Sequence, residues 1–179
     1  MLIVRLMQLK SSAKQSPALK NPQYFEGVLQ LRNLNEEVIR YIDSQLRKEP
    51  VIRIAKEIPQ PGGVDLWLSS NKFLLKLAKG LNETFQGELK ITSRLHTKNR
   101  LTSRNVYRMS VYFKLASFRR GDTINLRGLD MKVLAVGKKI RLQEVLTGKK
   151  HEYHFAIVQE AVEVAEEMHS GEEKTFFTE

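Results

Sequence analysis

The sequence predicts an α+β protein: a β-α-β-β-α-β-β domain with two helices on an antiparallel-rich sheet, then a small SH3-like all-β barrel and a C-terminal helix. Two observations carry this. Up to about residue 117, two stretches place apolar residues at helical spacing while the runs around them alternate at period two. After Phe118 four short strand-like runs are divided by Gly128, Gly137 and Gly148 with no helical stretch between them.

Residues 1–22 are expected to be a flexible basic leader, because "QLKSSAKQSPALKNPQ" is polar and broken by proline. The domain of residues 23–117 opens with "YFEGVLQLR", where Phe25, Leu29 and Leu31 share one side of a strand. Asn35 is placed to cap the first helix, Glu36 and Glu37 suit the positive end of its dipole, and Leu34, Val38, Tyr41, Ile42 and Leu46 form its apolar stripe. "VIRIAKEI" is the second strand and "PQPGG" a turn into the third, "VDLWLSS". Ser70 caps a second helix with Phe73, Leu74, Leu77 and Leu81 inward, and Lys72, Lys76 and Lys79 on its wet face. Two long strands, "GELKITSRLH" and "NVYRMSVYFKLAS", end the domain around the basic loop "TKNRLTSR". Residues 118–155 form the expected barrel, and 156–179 an acidic helix and tail.

The formal net charge is +10, but its sign is divided along the chain. Residues 155–179 hold seven glutamates against Lys174 alone, so the rest carries 29 bases and 13 acids. Residues 89–121 hold nine bases and no acid. Solubility is ordinarily met by mixed signs, so such a stretch points to a polyanionic partner.

Strand alternation sorts these bases onto one surface. Tyr107, Met109, Val111, Phe113 and Leu115 face the helices, leaving Arg104, Arg108, Ser110, Tyr112 and Lys114 on the other side. The neighbouring strand puts Leu89, Ile91 and Leu95 inward, and Lys90, Thr92, Arg94 and His96 outward. Trp67, out of phase with Val64, Leu66 and Leu68, is a candidate for the same outer side. Bases interleaved with an aromatic ring suit phosphate pairing and base stacking. The candidate RNA-contacting set is Lys90, Arg94, Lys98, Arg100, Arg104, Arg108, Tyr112 and Lys114, joined by the basic turns carrying Arg119, Arg120, Lys138, Lys139, Lys149 and Lys150. A solvated sheet face and ordinary hairpin lysines are the plainer alternative for any one of them.

Catalysis finds little support. His151 and His154 lie three apart in a predicted strand and so on opposite faces, and no phosphate loop, nucleophile elbow or H-E-x-x-H occurs. We expect no catalytic residue, no metal, no cofactor and no small-molecule substrate. No apolar run approaches the ~18–20 residues of a membrane span, "MLIVRLM" is too short for a signal peptide, and zero cysteines exclude disulfides. A soluble, cytoplasmic protein that does not contact a membrane is expected.

Taken in order, "YFEGVLQLRN", "GVDLWLSSNKFLLKLAKGL", "HTKNRLTSRNVYRMSVYFKLASFRRGDTINL" and "VLAVGKKIRLQEVLTGKK" resemble the Nmd-three family, the large-ribosomal-subunit export adaptors of eukaryotes and their archaeal relatives. The most specific pieces are Gly63, Asp65 and Trp67, then Ser103, Asn105 and Tyr107, then Gly121 with Asp122. The resemblance spans roughly residues 24–155 and is of the archaeal type. It implies a ribosomal-protein-like domain followed by a barrel like that of the hypusine-containing elongation factor, both lying against large-subunit rRNA, with ribosomal proteins as further partners, near the tRNA exit site. Family members begin with CxxC pairs that bind zinc. This chain has no cysteine, so the contacts of that module are not carried over.

The function expected is therefore a non-enzymatic, rRNA-binding factor of the large subunit, acting in assembly, as an export-type adaptor or in quality control. The competing reading is a protein-interaction module whose basic face serves solubility. In it, the barrel and the acidic tail recognise a protein; residues 156–179 would act as an internal polyanion mimic if they folded back over the bases.

Overall fold

The computed structural model describes residues 23–98, 100 and 102–172, with side chains as far as residue 165. The leader expected over 1–22 and the end of the acidic tail, 173–179, lie outside the described residues. The described residues divide into two units, one formed by 23–85 with Leu89–Leu115, the other by Gln86–Glu88 with 116–172.

The first unit runs β1 (Gly27–Arg32), α1 (Glu36–Lys48), β2 (Ile54–Gln60), β3 (Gly63–Leu68), α2 (Asn71–Thr84), β4 (Gly87–Lys98) and β5 (Asn105–Leu115), the order that the sequence predicts. Its five-stranded sheet has the order β2-β3-β1-β5-β4. β1 is antiparallel to β3 and parallel to β5, and β2 is antiparallel to β3. The parallel pair arises because β1 and β5 are separated by both helices and are free of any hairpin constraint on direction.

Alternation decides which sheet face is covered. Leu29 and Leu31 of β1, Leu66 and Leu68 of β3, and Val111 and Phe113 of β5 are buried in one cluster with Val38 and Ile42 of α1 and Phe73, Leu74, Leu77 and Leu81 of α2. The helices start where capping chemistry allows. The Asn35 side chain accepts from the Val38 N–H at 2.9 Å and Ser70 Oγ from the Phe73 N–H at 3.3 Å, each satisfying a donor that the first turn leaves unpaired. Glu26 adds to the second cap, its carboxylate accepting from the Asn71 N–H at 2.9 Å, where helix-dipole and charge favour it. Gly63 opens β3 because nothing larger fits: a Cβ there would stand 1.9 Å from the Leu31 carbonyl oxygen across the β1–β3 ladder.

The second unit holds β6 (Thr123–Leu126), β7 (Leu129–Ala135), β8 (Lys139–Glu144), β9 (Lys150–His154) and α3 (Phe155–Glu172). Arg127 and Gly128, at φ 56° and 82°, make the two-residue β6–β7 turn, whose mirror-image twist matches that of the strands. The four strands form an antiparallel meander in sequence order.

Here the structure corrects the expected SH3-like barrel. β6 and β9 are the two edges of the sheet, and among the described residues no ladder closes one on the other. A helix supplies what closure would have supplied. Phe155 and Val158 of α3 are buried with Phe118, Leu126, Met131, Val133, Ile140 and Leu142, so the meander's apolar side is covered by α3. Gln159, also buried, accepts from the Ser117 N–H at 3.1 Å and donates to Ser117 Oγ at 2.6 Å, tying the helix to the chain that enters the unit.

Candidate nucleic-acid interface

The helices cover one face of the first sheet, so the other face is built from the residues that alternate with its core. Val28, Gln30 and Arg32 of β1 stand beside Trp67, Asp65 and Gly63 of β3, and beside Ser110, Tyr112 and Lys114 of β5. Lys56 of β2 is paired with Trp67. β4 joins this face through Lys90, whose ammonium lies 5.6 Å from the Tyr112 ring centre, and through Thr92, which donates to the Ser110 carbonyl at 3.5 Å.

Its cations are held largely by rings. The Arg108 guanidinium sits 4.0 Å from the centre of the Phe25 ring, Phe25 lies 4.1 Å from Trp67, and Lys56 lies 5.3 Å from Trp67 on β3. Each cation–ring contact contributes about 0.5–1 kcal/mol at a partly exposed site. A ring, unlike a carboxylate, leaves the formal positive charge in place. Arg32 forms an ion pair with Asp65 on this face, at 2.8 Å and with side chains 22% and 12% exposed. At the edge of the face Tyr24 donates to Glu26 at 3.1 Å; burial first, and then that carboxylate, raise its phenol above the ordinary 10.0.

Trp67 thus points where its phase predicts. Phe25 does not: expected beside Leu29 and Leu31, it lies on Trp67 and Arg108 instead. The β1 ladder starts at Gly27, so residue 25 is not bound by the alternation read back through it. Lys56, Phe25 and Arg32 were missed by sequence reasoning. The Lys56–Trp67 register across the β2–β3 turn was the signal that could have found Lys56.

Beyond this face β4 and β5 form an arm. Residues 90–98 of β4 are exposed on both sides, as are Arg100 and Arg104 between the strands. Arg94, Lys98, Arg100 and Arg104 make no ion pair with a described residue. Arg108, Tyr112 and Lys114 are half-buried farther along β5.

The second unit carries the other predicted residues. Arg119 and Arg120 are exposed on a turn that Asp122 closes, its carboxylate accepting from the Arg119 N–H at 2.7 Å. The Gln86 side chain holds the Arg120 N–H at 2.8 Å. Lys138 and Lys139 are exposed at the β7–β8 turn, and Lys139 faces Glu152 at 3.3 Å, which offsets its charge. Lys149 and Lys150 are exposed at the β8–β9 turn. His151 and His154 stand on β9 opposite Leu142 and Lys139. No group of three or more His, Asp or Glu that could hold a metal occurs among the described residues, and no described helix is long and apolar enough to cross a membrane.

The first unit is thus a sheet covered by helices on one side that carries ring-supported cations on the other. The family model described as NMD3, second domain, matches residues 24–115, which is 92 of the 179 residues and ends with β5. The chain belongs to the NMD3 family, and its general role is that of a ribosome-associated adaptor. No curated protein matches the chain.

Proposed function

We propose that this chain is a non-enzymatic factor that binds ribosomal RNA of the large subunit, in assembly, as an export-type adaptor or in quality control. One observation carries the reading: the four arm bases Arg94, Lys98, Arg100 and Arg104 make no ion pair with a described residue, and the Arg108 guanidinium rests on the Phe25 ring. Cations left without counter-charges gain free energy when a phosphate backbone replaces their salt atmosphere. In this reading the arm bases, with Lys90, Arg108 and Lys114, follow phosphates, and Tyr112 stacks on an unpaired base. Arg119, Arg120, Lys138, Lys149 and Lys150 provide a second, weaker basic group. Family membership supports the ribosomal setting.

The test is sedimentation of the purified chain with isolated large and small subunits. Comigration with the large subunit alone is expected, and it should be lost when Arg94, Lys98, Arg100 and Arg104 are all changed to Gln. Equal binding to both subunits would reduce the protein to a generic RNA binder, and binding to neither would overturn the proposal.

A further inference from the structure

The arm has a second feature that phosphate binding does not use. β4 is the last strand of the sheet, hydrogen-bonded to β5 on one side and to no described strand on the other. It runs for twelve residues without proline. Leu89 and Met109 still pack against the core, but past them the helix-side positions are bare: Ile91, Leu95 and Tyr107 are 43%, 54% and 47% exposed. The opposite side of the same strand carries Arg94 and Lys98. The free backbone edge therefore runs between an apolar row and a basic row.

An unpaired edge of this length is a template for another strand. A second copy of β4 is excluded, because its bases would lie against these. We propose that the β4 edge over residues 90–98 accepts an extended protein segment in which acidic and apolar residues alternate. Such a segment pairs its main chain with β4, lays its apolar side chains on Ile91 and Leu95, and sets its carboxylates against Arg94 and Lys98. Residues four apart on a strand lie about 13 Å apart, so carboxylates at every second or fourth position keep register with Arg94 and Lys98. RNA would use the basic row and ignore both the edge amides and the apolar row.

The probe is a labelled eight-residue peptide of alternating glutamate and valine, followed by fluorescence anisotropy with the whole chain. Two derivatives carry N-methyl groups on alternate backbone amides, in one phase or the other, with side chains unchanged. The parent peptide is expected to bind, one methylated phase to bind at least tenfold more weakly, and the other to bind as the parent does, because alternate amides of an added strand point away from its neighbour. The double variant Ile91→Ser/Leu95→Ser should weaken the peptide about tenfold while binding RNA unchanged. Both positions are already exposed, so the fold survives the change. Equal binding of both methylated phases, equal binding of a peptide with its glutamates and valines in separate blocks, or no binding of the parent would each overturn the proposal. RNA binding fails or survives separately on the same samples.

Discussion

Arg32 and Asp65 show how one residue can set both the stability and the charge of a surface. One guanidinium nitrogen of Arg32 donates to the Asp65 carboxylate and to the Leu31 carbonyl, each at 2.8 Å. Asp65 lies on the open face, so the pair offsets one positive charge of the surface proposed to bind phosphates. Asp65→Asn keeps an acceptor oxygen and loses the charge. Because Arg32 retains Leu31, the loss in stability is at the low end for a charge-assisted bond, about 1–2 kcal/mol. RNA affinity should move the other way, rising roughly two- to fivefold at low salt and converging with the parent at high salt, where screening removes the gain. Denaturant unfolding and filter binding on the same variant measure the two effects. A parallel fall in both would mean that Asp65 itself contacts RNA.

At the scale of elements, α3 stands in place of barrel closure, and this makes Phe155 a test of the second unit. Its ring lies 6.1 Å from that of Phe118, and both are buried in the meander's core. Phe155→Ala should remove about 3–5 kcal/mol from this unit. Hydrogen exchange would show faster opening at β6 to β9. Unchanged protection there would mean that the sheet does not depend on the helix. The same element marks the limit of what the sequence carries. Elements with local signals were legible: Asn35 and Ser70 announce α1 and α2, and the phase of Trp67 announces its face. The choice between a closed barrel and a meander under a helix was not legible, because glycine spacing fixes where strands end and says nothing of whether β6 meets β9. The basic row of the arm was legible from alternation, whereas its exposed inner side was not. Ile91, Leu95 and Tyr107 have core periodicity, and where the helices stop covering them is a property of tertiary packing.

Across the whole molecule the question is how far a net charge of +10 acts as a sum and how far as a pattern. Lys139 is offset by Glu152, Lys76 by Glu49, Arg40 by Glu36 and Arg47 by Asp43. These bases add to the long-range field that steers a polyanion inward, and give up little to a phosphate at contact. Arg94, Lys98, Arg100 and Arg104 do both. The slope of log affinity against log salt counts the phosphates neutralised, at about 0.7 per contact for single strands and 0.9 for a duplex. Changing the four arm bases to Gln should therefore lower the slope by about 3, whereas changing Lys76, Arg40, Arg47 and Lys139 to Gln alters the net charge equally and should lower it by less than about 1. Filter binding to large-subunit rRNA from low to moderate salt measures both. Equal reductions would show that the charge acts as a diffuse cloud, and the arm would then have no special claim to the RNA.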